Sequence, residues 1–271
     1  MNGYQALSYW DVAAASVFLI LNAACSIALN LGLTRKLIVS ALRMTVQLSL
    51  VGLVLKAIFF AGSLWLTLLA AAVMGAFAGR EIMARQDRRL AGLWGPGLGA
   101  GAMLLAGTLV TAYALAGQIR PDPVWQPQYA LPLFGMILGN TMTGVSLGLD
   151  TLHTALAQGK REVEAQLLLG RTRWEAARPA LRQALRSGFT PIINSMAATG
   201  VVSLPGMMTG QILSGVDPQE AVKYQLLIMF LIGGATGLGV LGATLGSLWR
   251  LTDTRHRLRL DRLGASRSGP Q

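Results

Sequence analysis

Cysteine occurs once in this chain of 271 residues, histidine twice, and charged side chains make up only 13% of it. With Cys25 alone, no intramolecular disulfide can form, and thiol usage does not report a redox compartment. His153 and His256 fall in polar segments, and no cluster of His, Asp or Glu lies within the apolar stretches, which excludes a tight metal site or proton relay at membrane depth. The pattern G-x-x-x-x-G-K-[ST] is absent, so the chain has no phosphate loop in which to hold ATP. No Lys or Arg precedes Trp10, so a cleaved signal peptide is not expected and the first apolar stretch should remain in the mature protein.

What the chain has in quantity is apolar surface. Hydrophobic residues make up 53%, and the mean hydropathy is +0.51. A water-soluble globule of this length could not bury that much around one core. The composition predicts an all-α, polytopic integral membrane protein forming one transmembrane domain over residues 1–271. A hydrocarbon layer of ~30 Å needs about 20 helical residues per crossing, and seven stretches qualify: Trp10–Leu31, Leu37–Phe60, Ala61–Gly79, Pro96–Gly117, Ala130–Leu149, Gly188–Leu213 and Val222–Trp249. The second and third are separated by a tight turn at most, so six spans with one re-entrant segment is the alternative.

Lys and Arg in short loops stay on the cytoplasmic side. Arg35 and Lys36, four arginines between Arg80 and Arg89, seven basic residues between Asp150 and Ser187, and six from Arg250 onward all fall on one side; Arg120 and Lys223 fall on the other. This bias predicts an external amino terminus, a cytoplasmic carboxyl terminus with a basic tail over about 250–271, and a cell (inner) membrane location. The net charge of +11 then reflects positive-inside bias and attraction to anionic membrane lipids, with no need of nucleic acid.

Two motifs are discounted. Gly144-Val-Ser146-Leu-Gly148 spells the G-x-S-x-G of a hydrolase elbow, but it lies inside a predicted span with no strand before it. His153, seven residues on, would stand about 10 Å from Ser146 along a helix. The G-x-x-x-G pairs Gly135/Gly139 and Gly206/Gly210 predict close helix packing and name no partner.

The longest polar interval, about 150–187, has a pattern of its own. Lys160–Leu169 reads as a helix stopped by Gly170, where a left-handed conformation is least costly. Thr172, three residues before Glu175, has the spacing of a capping box that starts a second short helix, and Pro179 limits how far that helix runs straight. Leu167, Leu168, Leu169 and Trp174 are available for an apolar contact. The plain alternative is a solvated linker.

Glu164-Ala165-Gln166 followed by Gly170 resembles the E-A-A-x-x-x-G coupling loop of ABC transporter permeases, departing from it at Gln166 and in the position of Pro179. Pro191-Ile-Ile-Asn194-Ser-Met196, then Val201-Val-Ser203-Leu-Pro205-Gly206-Met207-Met208-Thr209-Gly210-Gln211, closely resembles the signature of the FetB/YbbM-type family of iron-export ABC permeases. Leu133-Phe-Gly135-Met-Ile-Leu-Gly139-Asn140, and Arg43 with Gln47 ahead of Val51-Gly-Leu-Val-Leu55, are similar to further stretches of that family. The resemblance covers about Arg43 to Phe230. It implies a permease subunit, not itself an enzyme, that works with a separate ATP-binding subunit and is linked in bacteria to iron export and resistance to oxidative stress. ATP would sit on that partner, and this chain would bind no cofactor. Related plant proteins are linked to aluminium tolerance, with a nucleotide sugar proposed as cargo. ABC architecture further implies a permease homodimer, and Glu164, Ala165, Gly170, Trp174 and Glu175 as ATPase-coupling residues.

The residues also suggest a route through the membrane. Pro205-Gly206 should break the sixth span about 25 Å from Gly188, freeing carbonyls near Val201 and Val202; broken helices often line transport routes, although a kink can also serve packing alone. Asn140, Asn194, Ser195, Met196, Ser203, Pro205, Gly206, Met207, Met208 and Gln211 are the candidate path residues there. The methionines are filler or soft ligands, and no ligand set for a metal is assignable. Arg43, inside the second span, either snorkels to the inner surface or pairs with Gln47 one turn on at a cytoplasmic gate. Three readings of function stand: ATP-driven iron export, ABC transport of another metal or a nucleotide sugar, and a non-transporting scaffold or receptor.

Overall fold

The computed structural model describes residues 8–92, 94–253 and 257–264; His256 lies outside them. The described residues are almost wholly helical: α1 (Tyr9–Ala15), α2 (Val17–Ala28), α3 (Thr34–Ala61), α4 (Leu64–Arg85), α5 (Trp94–Tyr113, continued by a π-helical turn over Ala114–Ile119), α6 (Pro127–Gln158), α7 (Lys160–Leu168), α8 (Arg173–Ala176), α9 (Arg178–Ala198), α10 (Gly206–Leu213), α11 (Pro218–Arg250) and a 3-10 turn (Leu260–Arg262). Six helical stretches among the described residues are long and apolar enough to cross a membrane: α1 with α2, then α3, α4, α5 with its π-turn, α6 and α11.

Helices α4, α5, α6, α9 and α11 form the bundle, with α10 laid against α11. Its core has three tiers. At one end Val110, Leu133, Ile137, Ile192, Ile228 and Ile232 meet. Ile82, Met103, Phe134, Leu138, Val145 and Val240 fill the middle. At the end where basic residues gather, Leu152, Leu156, Ala180, Ala184, Leu248 and Leu251 close the bundle and also take in Val163 and Ala176 of the polar segment. The hairpin of α1–α2 and α3 stands apart, its side chains almost all exposed. A membrane protein can leave such apolar surface uncovered, because lipid tails solvate it without penalty.

Close packing comes from glycines other than the G-x-x-x-G pairs. Gly139, Gly206 and Gly210 face nothing within reach of a Cβ, and a Cβ on Gly135 would meet only the end of Met74. The discounted G-x-S-x-G stretch is the packing face instead. A Cβ on Gly144 would stand 2.8 Å from the Gly188 carbonyl oxygen of α9 and 2.8 Å from Thr236 of α11, and one on Gly188 would stand 2.6 Å from Val240. The backbones of α6 and α9 can meet there, under the Thr236 and Val240 side chains of α11, only because both positions lack a side chain. Ser146 is buried and donates to the Met142 carbonyl at 2.7 Å, a helix-internal bond that leaves it no role as a nucleophile.

The expected sixth span is corrected. The stretch Gly188–Leu213 is not one helix kinked at Pro205: α9 starts at Arg178, stops at Ala198, and α10 begins only at Gly206. The gap is a turn in its own right, with Gly200 at φ +92° and the Gly200 and Ser203 N–H groups donating to the Ser203 and Ala198 carbonyls at 2.9 and 3.1 Å. Pro205 precedes the first residue of α10, where its missing N–H removes no helix hydrogen bond. The break therefore opens about 16 Å from Gly188, beyond the core tier that holds Ile192, and not at 25 Å. Helix α6 is also longer than expected. At 32 residues it measures about 48 Å, so the segment between the long helices α6 and α9 narrows to residues 159–177, most of them in the short helices α7 and α8.

Candidate functional site

Two successive helix ends shape the segment after α6. Helix α7 stops because Gly170 adopts φ +82°, letting the N–H groups of Gly170 and Arg171 donate to the Leu167 and Gln166 carbonyls at 3.0 and 3.2 Å. This left-handed turn closes the last carbonyls of α7. One residue later Thr172 and Glu175 form the expected capping box: the Thr172 N–H and hydroxyl donate to the Glu175 carboxylate at 2.9 and 2.8 Å, and the Glu175 N–H donates to the Thr172 hydroxyl at 3.4 Å. Those Thr172 donors hold the Glu175 carboxyl below the usual range. Helix α8 spans only four residues, and Pro179 lies in the first turn of α9, where it starts that helix and does not limit α8.

The unit has an inner and an outer face. Val163, Leu167, Ala176 and Ala177 join the core tier at the basic end, whereas Leu168 and Leu169 are 88% and 78% exposed, and Trp174 is exposed with the Arg173 guanidinium over its ring. Glu164 is half-buried and paired with Lys160 at 3.7 Å, and Ala165 and Glu175 are exposed. Gln166, the departure from the family pattern, buries its side-chain carbonyl without a hydrogen-bond partner.

What fixes this end of the bundle is His153, which sequence reasoning weighed only as a partner for Ser146. It is completely buried, with Nδ1 at 2.9 Å from the Arg88 carbonyl oxygen and Nε2 at 2.7 Å from the Ser247 hydroxyl. A carbonyl can only accept, so Nδ1 bears the proton and Ser247 donates to Nε2. One turn earlier, the Asp150 carboxylate accepts the Asp87 N–H at 2.8 Å. The connection between α4 and α5 is thereby tied to α6 and α11. The signal was present in the sequence: His153 shares a helix face with Leu149, Leu152 and Leu156, all of them core positions.

The candidates at membrane depth separate into two groups. Asn194, Ser195 and Met196 lie at the exposed end of α9, Ser203 and Pro205 in the break, and Gly206, Met207, Met208 and Gln211 on α10. The Gln211 side-chain carbonyl is buried without a hydrogen-bond partner. Asn140, exposed on α6, donates to the Met136 carbonyl at 2.9 Å. Arg43 and Gln47 sit on α3, which meets the rest of the bundle chiefly along α6. The partner of Arg43 is Glu81 of α4, at 3.7 Å, not Gln47, and Glu81 also faces Arg85 at 3.5 Å. Glu81 was overlooked because the third span was expected to end at Gly79, whereas α4 continues to Arg85. No group of three or more His, Cys, Asp or Glu side chains is placed to hold a metal among the described residues.

Residues 9–251 match the family model described as "Uncharacterised protein family (UPF0014)". The UPF0014 membrane protein slr1647 of Synechocystis sp. is 40% identical over 75% of this chain and 78% of its own length. Protein ALUMINUM SENSITIVE 3 of Arabidopsis thaliana is 32% identical over 86% of this chain and 83% of its own. The Escherichia coli protein named "probable iron export permease protein FetB" is 30% identical over 84% and 86%. No solved structure matches. A family match running from the start of α1 to the residue after α11, together with relatives that cover most of their own length, makes this chain a multi-pass membrane protein of the UPF0014 family.

Proposed function

We propose that the chain is the membrane permease subunit of an ABC transporter that exports iron, working with a separate ATP-binding subunit. The observation that carries this reading is the α7–Gly170–α8 unit: a capped knob whose inner face is part of the bundle core and whose exposed residues include Leu168, Leu169 and Trp174. A motor on another chain needs such a handle, because a push on the knob is transmitted through Val163 and Ala176 to α6, α9 and α11. Glu164, Ala165, Gly170, Trp174 and Glu175 are its coupling residues, and ATP is bound and hydrolysed on the partner. The resemblance to the E. coli relative supports iron as cargo. Without a metal cluster among the described residues, iron would pass by weak carbonyl, amide and hydroxyl contacts along Asn140, Asn194, Ser195, Ser203 and the break before α10.

In this reading two permease copies form a homodimer in the cell inner membrane, with the basic end cytoplasmic and the amino terminus outside. Gly170→Val tests the coupling role. A Cβ there meets nothing within 4 Å, so the variant acts only through the left-handed backbone, which a β-branched residue adopts at a cost above about 1 kcal/mol. The variant should reach the membrane normally, yet fail to co-purify with the ATPase or to stimulate its hydrolysis. Wild-type binding and stimulation would make the segment a linker. Cellular iron measured with and without the protein tests the cargo.

A further inference from the structure

Beyond the last core tier, a cleft of about 250 Å³ is walled by Arg173 of α8, Trp249 and Arg250 at the end of α11, Thr252 and Asp253 just past it, and Arg262 of the 3-10 turn. Three arginines from three separate elements line it. Like charges gathered in one cleft repel unless an anion lies among them. The one carboxylate in the wall is already engaged, since Asp253 accepts the Arg257 N–H at 2.9 Å and faces the Arg257 guanidinium at 4.0 Å. Elsewhere in the tail, Arg259 is satisfied by Asp261 at 2.9 Å. Arg173, Arg250 and Arg262 make no ion pair with a carboxylate among the described residues.

Their existing contacts leave donors free. The Arg250 guanidinium carbon lies over the Trp94 ring at 5.0 Å and that of Arg173 over Trp174 at 5.5 Å, cation–π contacts that pair no N–H group with a carbonyl or carboxylate oxygen. Arg262 gives one nitrogen to the Arg250 carbonyl at 2.6 Å and retains its others. Planar forks of this kind match the oxygens of a phosphate. The cleft also lies at a defined level: Trp249 and Trp94, both partly exposed, mark the last turn of one membrane helix and the first turn of another, the position of interfacial aromatics. Its volume of about 250 Å³ is enough for a phosphate and its glycerol.

We propose that this cleft binds the headgroup of an anionic phospholipid, with the phosphate among Arg173, Arg250 and Arg262 and the acyl chains running down beside Trp249. The inference rests on the membrane architecture and not on the transport reading. Bound there, the lipid links α8 to the end of α11 and to the 3-10 turn.

The test uses the full-length protein in neutral detergent micelles, titrated with phosphatidylglycerol, phosphatidylcholine or inorganic phosphate, with bound lipid counted by native mass spectrometry. Phosphatidylglycerol should be retained in preference to phosphatidylcholine, and an equal concentration of inorganic phosphate should not displace it. Arg173→Gln and Arg250→Gln should each weaken its retention by about fivefold, Arg250→Lys by less, and Arg186→Gln, an exposed arginine of α9 outside the cleft, not at all. Equal losses for Arg186→Gln and Arg250→Gln, or none for either, would reduce the cleft to part of a general basic surface. Displacement by phosphate would make it a soluble-anion site and overturn the proposal. If Arg250→Gln does not fold, Arg173→Gln on the partly exposed α8 decides alone.

Discussion

His153 joins three parts of the chain through one ring: its own helix α6, the Ser247 hydroxyl on α11 and the Arg88 carbonyl before α5. Truncation leaves two polar groups without partners, each worth about 1–3 kcal/mol when buried. Thermal unfolding in detergent should show His153→Ala destabilised by about 2–5 kcal/mol, and Ser247→Ala by about 1–3 kcal/mol, since that change leaves one buried group, His153 Nε2, unpaired and keeps the Arg88 contact. Equal losses for the two variants would mean that the carbonyl contact contributes nothing. The Arg43–Glu81 pair is a different kind of interaction. Both side chains are partly exposed, so its contribution to stability is small, but it removes the need for either charge to face lipid alone.

Among the elements, α8 is too short to persist without its cap. Glu175 is ionised more readily than a free glutamate because the Thr172 N–H and hydroxyl stabilise its charge. A folded-state pKa below the unfolded value contributes stability that is complete above the unfolded value and is lost as pH falls through the lowered folded one. Amide exchange over Arg173–Ala176 should therefore stay slow from neutral pH down into the acidic range and rise as Glu175 protonates, and Thr172→Ala should remove that dependence. The break between α9 and α10 yields an opposite pair of expectations. Pro205→Ala should leave it intact, because the turn is set by Gly200 at φ +92° and its own hydrogen bonds. Gly200→Val should disturb it, at about 1–2 kcal/mol for a β-branched residue forced into that region. Thiol labelling of single cysteines at positions 199–205 in a Cys25→Ser background reads both variants. A labelling pattern in Pro205→Ala that protects the whole stretch, as a continuous helix would, would show that the proline makes the break.

For the molecule as a whole, the distribution of charge is the strongest constraint on placement in the membrane. The basic ends of α4, α9 and α11 and the basic start of α7 lie on one side, and among the described residues Arg120, Lys223 and Lys56 near the end of α3 carry positive charge toward the other. A reporter fused after Gln271 should read cytoplasmic and one inserted near Asp122 external. Both on one side would refute the orientation and the number of crossings together. The bundle also explains the uneven exposure of the chain: α3 is strongly apolar yet almost unburied, whereas the less apolar α6 forms the centre together with α11.

Fold class, the membrane setting and most of the crossings were legible in the sequence because they depend on composition and on runs of about 20 apolar residues, which are local quantities. The Gly170 stop and the Thr172–Glu175 box were legible for the same reason, since each is completed within four residues. Three features depended on contacts between residues far apart in the chain. Gly144 and Gly188 approach because α6, α9 and α11 meet there, a condition no spacing rule contains. His153 acquires its partners 65 and 94 positions away. The gathering of Arg173, Arg250 and Arg262 around one cleft arises only when α8, the end of α11 and the tail fold onto the same core tier, which places charges that are scattered in sequence within reach of one anion.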